Sequence, residues 1–406
     1  MRILWLKTEL LHPIDKGGKI RTIEMLKELR KEHEVTYLCL RRDSDTGDAV
    51  DRASEYCQRL VTVPFSDPAR FSARFYGDLG RNLVSTLPYN FQKYSSKPMR
   101  DAIRQELAAR PYDVVCCDFL FPAVNFDART SKVPTLLFQH NVESALWDRQ
   151  WRVQTNPAKR AYFYLQYRKL LACEARICRD FDLVVGVSEG DADIMKRDFG
   201  LRECASVPTG VDTEEYKPSG TVTPNPFELV FTGSMDWMPN EDAILWFAAE
   251  ILPLIAREIP EVKLTVVGRN PTPRLKELAS KEPRMTLTGR VDDVRPYIER
   301  AAVYIVPLRV GGGTRLKIYE AMSMQKPMVT TRIGAEGLDV TDGQDLRYAD
   351  DAESFARTTV ELLRDKPEQD RLAKAARDLC VERFGWAAAT QIFVQSLERA
   401  AELHKA

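Results

Sequence analysis

The chain has 406 residues, with 59 Lys plus Arg against 59 Asp plus Glu, 44% hydrophobic residues and 9% aromatics. That length exceeds one ordinary core and predicts two or three domains. The charge balance excludes a global field that would recruit nucleic acid or membrane, so electrostatic docking must come from local patches.

The start, MRILWLKTELLHP, is apolar only briefly, because Lys7 and Glu9 interrupt it. It predicts a first strand, not a signal peptide, and no later window reaches the apolar length that spans a bilayer. The 8 cysteines make no C-x-x-C pair and no zinc spacing, and read as buried thiols of a reducing cytoplasm.

Apolar runs rich in Val, Ile, Leu and Tyr alternate with segments of helical period, the pattern of parallel sheets with crossover helices. In the first half the strands read as residues 3–6, 35–40, 60–64, 113–118, 135–139, 183–187 and 205–208. Residues 210–226, rich in Pro and Gly, form the best linker candidate. A second series reads as strands at 227–232, 262–267, 285–288, 303–307 and 328–331, followed by helices. The expected fold is α/β, with two Rossmann-like, doubly wound parallel-sheet domains facing a cleft. Residues 1–212, joined by a C-terminal helix at 386–406, would form the first domain, and 213–385 the second.

Three constellations carry chemistry. In DKGGKIR, after the first strand, Gly17 and Gly18 allow close backbone approach, and Lys19 and Arg21 have the reach to meet phosphate or an anionic acceptor. A tight strand-to-helix turn explains the same glycines. The dinucleotide fingerprint G-x-G-x-x-G is absent. His140, in LFQHNVESALW, falls at the carboxyl end of an apolar strand, where open parallel sheets bind ligands, with Asn141 and Glu143 beside it. A structural histidine remains the alternative. The stretch VGGGTRLKIYEAMSMQKP joins a glycine triplet to a helix: bare backbone amides of Gly312, Gly313 and Thr314 suit an anion, with Arg315 and Lys317 supplying positive charge. Glu320 follows in an otherwise apolar patch, where its carboxylate can accept hydrogen bonds from a ribose diol; a solvated helix face is the plain alternative.

The segments VPTGVDTEEYKP, FTGSMDWMPNEDAILWF, LTGRVDDVRPYIERAAVYIVPL and GGGTRLKIYEAMSMQKPMVTT resemble, in order and spacing, glycosyltransferase family 4, the group 1 retaining transferases of the GT-B fold, in a subset with a GGGTRLK loop. The resemblance covers nearly the whole chain. It implies a hexosyltransferase-type enzyme moving a sugar from a nucleotide-diphosphate sugar to a saccharide or lipid-linked acceptor with retention, in cell-surface or extracellular polysaccharide biosynthesis. It implies no cofactor and no metal beyond that co-substrate.

In the family a pair of glutamates with seven residues between them binds the donor sugar and the nucleotide ribose. The second would be Glu320, on the ribose; the first position is Gly312. An Arg and a Lys common after the first strand of the second lobe are missing from GSMDWMPN, leaving Gly233, Ser234 and Asn240 there, so Arg315 and Lys317 are the expected replacements. The glycine pair Gly17 and Gly18 would face diphosphate and acceptor, with Lys19 and Arg21 on the acceptor side. His140 would contact the donor sugar, and Gly289 with Arg290 would read the base. Retention would proceed by front-face attack, with a diphosphate oxygen taking the acceptor's proton.

Two first-lobe segments, 69–104 and 147–179, concentrate Lys and Arg among aromatics, which suits the headgroup layer of an anionic membrane at the inner face of the cell membrane. Ordinary solvated helices with aromatics inside explain them as well. Two rival functions stay open: a sugar-nucleotide epimerase on a similar fold, and a non-catalytic nucleotide-sugar-binding subunit, which the missing Glu and Arg/Lys pair makes thinkable. No nucleic-acid partner is expected.

Overall fold

The structure is a computed structural model that describes residues 1–14, 17–66, 72–152, 154, 156–310 and 316–405. The chain forms two compact units: Met1–Pro208 with Ala389–Ala406, and Thr209–Ala388. The boundary falls just before the Pro/Gly-rich stretch, which opens the second unit.

The first unit carries β1 (Arg2–Lys7), β2 (Glu34–Arg42), β3 (Arg59–Phe65), β4 (Val114–Asp118), β5 (Thr135–Phe138), β6 (Leu183–Gly186) and β7 (Ala205–Ser206). They form one parallel sheet in the order β3-β2-β1-β4-β5-β6-β7. Helices cover both faces, so the central strands are buried on both sides and lack polar alternation, as in the fully buried VVCCD of β4. This is why apolar runs alone located them.

The second unit repeats the plan with β8 (Asn225–Thr232), β9 (Lys263–Val267), β10 (Met285–Gly289), β11 (Ala301–Val306), β12 (Met328–Thr330) and β13 (Arg347–Tyr348), in the order β10-β9-β8-β11-β12-β13, again parallel. The two-residue β13 has no sequence signal, being too short for any period. Helix starts follow local chemistry. Asn156 caps the helix Pro157–Asp180 by accepting from the Lys159 amide, with proline at its first position, and Asp351 forms a reciprocal capping box with Ser354.

The last helix, Trp386–Leu403, begins in the second unit, where Gly210 lies so close to Trp386 that a Cβ would come 2.3 Å from its ring. Its later turns belong to the first unit: Phe393 packs on Trp5 and Phe138, at centroid distances of 5.6 and 5.0 Å. All 8 cysteines are buried and unpaired. Among the described residues no helix is long and apolar enough to cross a membrane.

Candidate active site

In the second sheet the strand order reverses between β8 and β11, and ligands of such sheets bind beyond the carboxyl ends at that point. The loop after β8 opens with Gly233 at φ 156°, where a Cβ would lie 2.7 Å from both Asn240 Nδ2 and Lys317 Nζ. Only glycine fits there. Asn240, 3% exposed on the helix Met238–Trp246, donates from Nδ2 to the Ser234 carbonyl at 2.9 Å and accepts from Lys317 Nζ at 2.9 Å. The Lys317 ammonium also lies 4.0 Å from the centroid of the Phe231 ring. A cation from the helix Leu316–Ser323 thus occupies the loop that has no basic residue of its own.

A second cation reaches the same loop. Arg269, just past β9, donates from Nε to Ser234 Oγ at 3.0 Å, and Ser234 donates on to Asp236 at 2.6 Å. Sequence reasoning passes over Arg269; its one signal is its place at a strand's carboxyl end. Glu320, one turn beyond Lys317, lies near the Tyr216 hydroxyl. Burial pushes its carboxyl up to about 7, while the Tyr216 hydroxyl and the Lys317 charge oppose the rise. Arg290 stands apart, exposed after Gly289 (φ 71°) at the end of the edge strand β10. Gly312, Gly313, Thr314 and Arg315 lie outside the described residues.

In the first sheet the reversal falls between β1 and β4. Lys7 ends β1 at 1% exposure and Asp118 ends β4 at 0%. Lys7 Nζ donates to Asp118 Oδ2 at 2.6 Å and to Thr22 Oγ1 at 2.7 Å; Thr22 Oγ1 and Trp5 Nε1 donate to the same Oδ2 at 2.7 and 3.0 Å. The other carboxylate oxygen, Oδ1, lies 2.8 Å from His140 Nε2. Burial alone would raise the Asp118 carboxyl, but Lys7 and then His140 hold it well below the usual carboxylate range. Burial lowers His140 to about 3, with Asp118 opposing, so the imidazole is neutral at pH 7.

His140 stacks on Phe119 at 4.0 Å between centroids, and Phe119 has φ 74°, a conformation bulky residues adopt only when their surroundings impose it. Gly18 meets the same ring: a Cβ there would lie 3.0 Å from Phe119 Cζ and 3.6 Å from His140 Nδ1. The structure thus brings Gly18 and His140 together. Gly17 starts the helix Gly17–Leu29, and Arg21 is close enough to weigh on the His140 proton affinity. Lys19 is 7% exposed and donates to the Pro13 carbonyl at 3.0 Å, 4.0 Å from Glu9 Oε2, so its charge is spent within the fold.

The strand-end turn that carries His140 is held by a residue with no local sequence signal, Glu174. Glu174, 0% exposed on the helix Pro157–Asp180, accepts from the backbone amides of Glu143 and Ser144 at 2.9 and 2.8 Å and from Gln139 Nε2 at 3.1 Å. It thereby satisfies the orphan amides that open the helix Glu143–Arg152. Burial pushes Glu174 and Glu143 each up to about 7, the Glu174 charge adding to the rise at Glu143.

Of the two basic, aromatic segments, 147–179 is largely self-packed: Trp147 meets Phe163 at 5.3 Å, and Trp151 meets Tyr164 at 5.2 Å with Arg152 and Arg160 over its ring. The helix Ala73–Val84 is different, exposing Tyr76, Leu83 and Val84 (57%, 51% and 90%). Its end is joined to the neighbouring helix by Lys169 Nζ, which donates to the Asn82 carbonyl at 2.6 Å. Arg70 and Phe71 lie outside the described residues. Among the described residues no group of three or more His, Cys, Asp or Glu is gathered as for a metal ion.

Both Rossmann-like units thus carry a polar cluster at the switch point of their sheet. Residues 16–215 match the model of Glycosyltransferase Family 4 and residues 226–365 that of Glycosyl transferases group 1; the chain belongs to this family. It is 21% identical over 372 residues, 88% of this chain and 90% of the relative, to a 44.6 kDa protein in the cps region of Klebsiella pneumoniae. It is 27% identical over 193 residues to the phosphatidyl-myo-inositol mannosyltransferase of Mycolicibacterium smegmatis, spanning 45% of this chain and 49% of that one. Similar solved structures include sucrose-phosphate synthase from Thermosynechococcus elongatus (TM-score 0.72, 16% identity, 98% of each chain) and Anabaena HepE in complex with UDP (TM-score 0.68, 15% identity, 98% of this chain and 100% of that one). At such identities these two likenesses speak to the fold.

Proposed function

We propose that this glycosyltransferase moves a sugar, with retention of anomeric configuration, from a nucleoside-diphosphate sugar to a saccharide or lipid-linked acceptor of a cell-surface polysaccharide, at the cytoplasmic face of the membrane. The observation that carries the reading is the Lys317 ammonium lodged against Asn240 and Gly233, one helical turn from Glu320. A diphosphate leaving group gains charge as the glycosidic bond breaks, and a fixed cation with backbone amides stabilises that charge most where water is excluded. Lys317 supplies such a cation, the sequence GGGTR just before that helix offers further amides and a second charge, and Glu320 takes the ribose hydroxyls. With these cations in the chain, the leaving diphosphate needs no metal, and its own oxygen accepts the acceptor's proton.

The relative in a cps region supports the polysaccharide setting, and HepE, solved with UDP and UDP-glucose, makes uridine diphosphate sugars the first donors to try. The exposed apolar side chains of Ala73–Val84, in a segment rich in Lys and Arg, support docking on an anionic leaflet.

The test is turnover of a panel of UDP-, GDP- and ADP-sugars with oligosaccharide and polyprenyl-linked acceptors, followed by NMR of the product anomer. A product of retained configuration is expected. An epimerised sugar formed without acceptor, or nucleotide binding with no turnover of any donor, would replace this reading with one of its rivals.

A further inference from the structure

The contact between Asp118 and His140 fixes more than a distance. Asp118 Oδ2 is taken by three donors, from Lys7, Thr22 and Trp5, which immobilises the carboxylate on the β1 and β4 strand ends. Its Oδ1 lies 2.8 Å from His140 Nε2, a close contact without the alignment of a full hydrogen bond, and among the described residues neither atom has a hydrogen-bond partner. A carboxylate oxygen this close disfavours a bare lone pair on Nε2, which argues for the ring's proton there.

The other side of the ring leads to the same assignment. Nδ1 is buried with no hydrogen-bond partner among the described residues, and it faces Gly18, in the first turn of the helix Gly17–Leu29. The opening amides of a helix are donors without intrahelical partners, at the positive end of its dipole, and Arg21 adds its charge on that side. A lone pair is stabilised there and a proton is not.

We propose that Asp118 is a positioning residue that locks His140 as the neutral Nε2–H tautomer, so that Nδ1 works only as a hydrogen-bond acceptor toward the glycine turn. Phe119 completes the clamp: its left-handed backbone brings the ring flat onto the imidazole and beneath Lys7, whose ammonium is 4.7 Å from the ring centroid. In this arrangement His140 shapes the Gly17–Gly18 turn and gives no proton to a substrate. The kinetic part of the proposal rests on the transferase reading above; the tautomer does not.

The experiment is long-range 1H–15N correlation of the full chain labelled with 15N-histidine. With 4 histidines in the sequence, the His140→Gln variant assigns the signal. Wild type at pH 7 should show the Nε2–H pattern for His140, unchanged on acidification to pH 5.5. In Asp118→Asn the amide oxygen stays with Lys7 and its NH2 turns to the imidazole, so the pattern should change to Nδ1–H. Turnover should fall about tenfold or more in that variant, with UDP affinity within about twofold of wild type. An Nδ1–H or imidazolium signal in wild type would overturn the proposal, and so would an unaltered pattern in a folded Asp118→Asn. Should that variant not fold, the wild-type spectrum alone decides. Absence of turnover in wild type would count against the transferase reading and leave the spectral result standing.

Discussion

Lys317 Nζ and Asn240 Oδ1 meet at 2.9 Å across 77 positions of sequence, joining the helix Leu316–Ser323 to the helix Met238–Trp246. Lys317→Ala should therefore weaken UDP binding about tenfold or more, the loss of one charge-assisted hydrogen bond, and Lys317→Arg should restore part of it. Titration calorimetry reads the affinity. Affinity within twofold of wild type in a folded Lys317→Ala would remove this cation from the donor site.

Arg315→Ala tests the other half of the relocated charge. A diphosphate contact that strengthens as the bond breaks lowers kcat and kcat/KM together, so both should fall by at least about tenfold. A change in KM alone would mean that Arg315 helps only to hold the ground state.

Glu320 should make both binding and stability depend on pH. Its carboxyl, raised to about 7 by burial, is more protonated in the native chain than in the unfolded one, so its favourable contribution is complete below the unfolded value of about 4.3 and disappears as pH rises through 7. Between pH 5 and 8 the ligand-free wild type should lose roughly 1 to 3 kcal/mol more stability than Glu320→Gln in urea titrations. UDP affinity should rise over the same interval, because the ionised carboxylate accepts both ribose hydroxyls. The glutamine variant should bind more weakly and with a flatter profile.

Gly18→Ala puts a methyl group 3.0 Å from Phe119 Cζ, on a ring already stacked against His140. The cost in stability should be about 1 to 2 kcal/mol, as for a single overpacked methyl, while turnover falls more than that cost explains. Steady-state kinetics beside thermal unfolding separates the two, and a variant with wild-type turnover would show that this turn tolerates displacement.

Glu174→Ala strips the acceptor from two backbone amides and Gln139 at once, and should cost about 2 to 4 kcal/mol by chemical denaturation. Glu174→Gln keeps one acceptor oxygen and should cost less, with the gap from wild type narrowing at high pH, where the raised pKa makes the native carboxylate expensive.

For the membrane, Leu83→Glu with Val84→Glu removes exposed apolar area and adds repulsion from anionic lipid. The pair should abolish co-sedimentation with phosphatidylglycerol vesicles and leave nucleotide affinity unchanged. Wild-type protein that shows no preference for anionic over neutral vesicles would end the docking idea.

Strand positions were legible because parallel strands are apolar on both faces, so twelve runs announced themselves while the short Arg347–Tyr348 did not. Charged residues read less well. Lys7 looks like an interruption of an apolar run, yet it is fully buried, since its cost is offset by Asp118, a partner 111 positions away that no local pattern connects to it. Glu174 hides in a helix of mixed composition for the same reason. His140, Gly18 and Lys317 were recoverable because strand ends and glycine turns mark where such sheets present side chains. Arg269 sits at an equivalent strand end but outside any familiar run, and only its approach to Ser234 brings it forward.

The helix Trp386–Leu403 also makes the first unit depend on residues that follow the second. Phe393 fills a seat on β1 and β5, so the first sheet is covered by a residue far downstream of all its strands. The unit Thr209–Ala388 is contiguous in sequence, whereas the other is built from two separated segments. A fragment that stops at Pro208 would keep its strands but leave Trp5 and Phe138 without their cover. Adding residues 389–406 back as a separate peptide should restore solubility to that fragment, making the tail a fold-completing part of the domain at the other end of the chain.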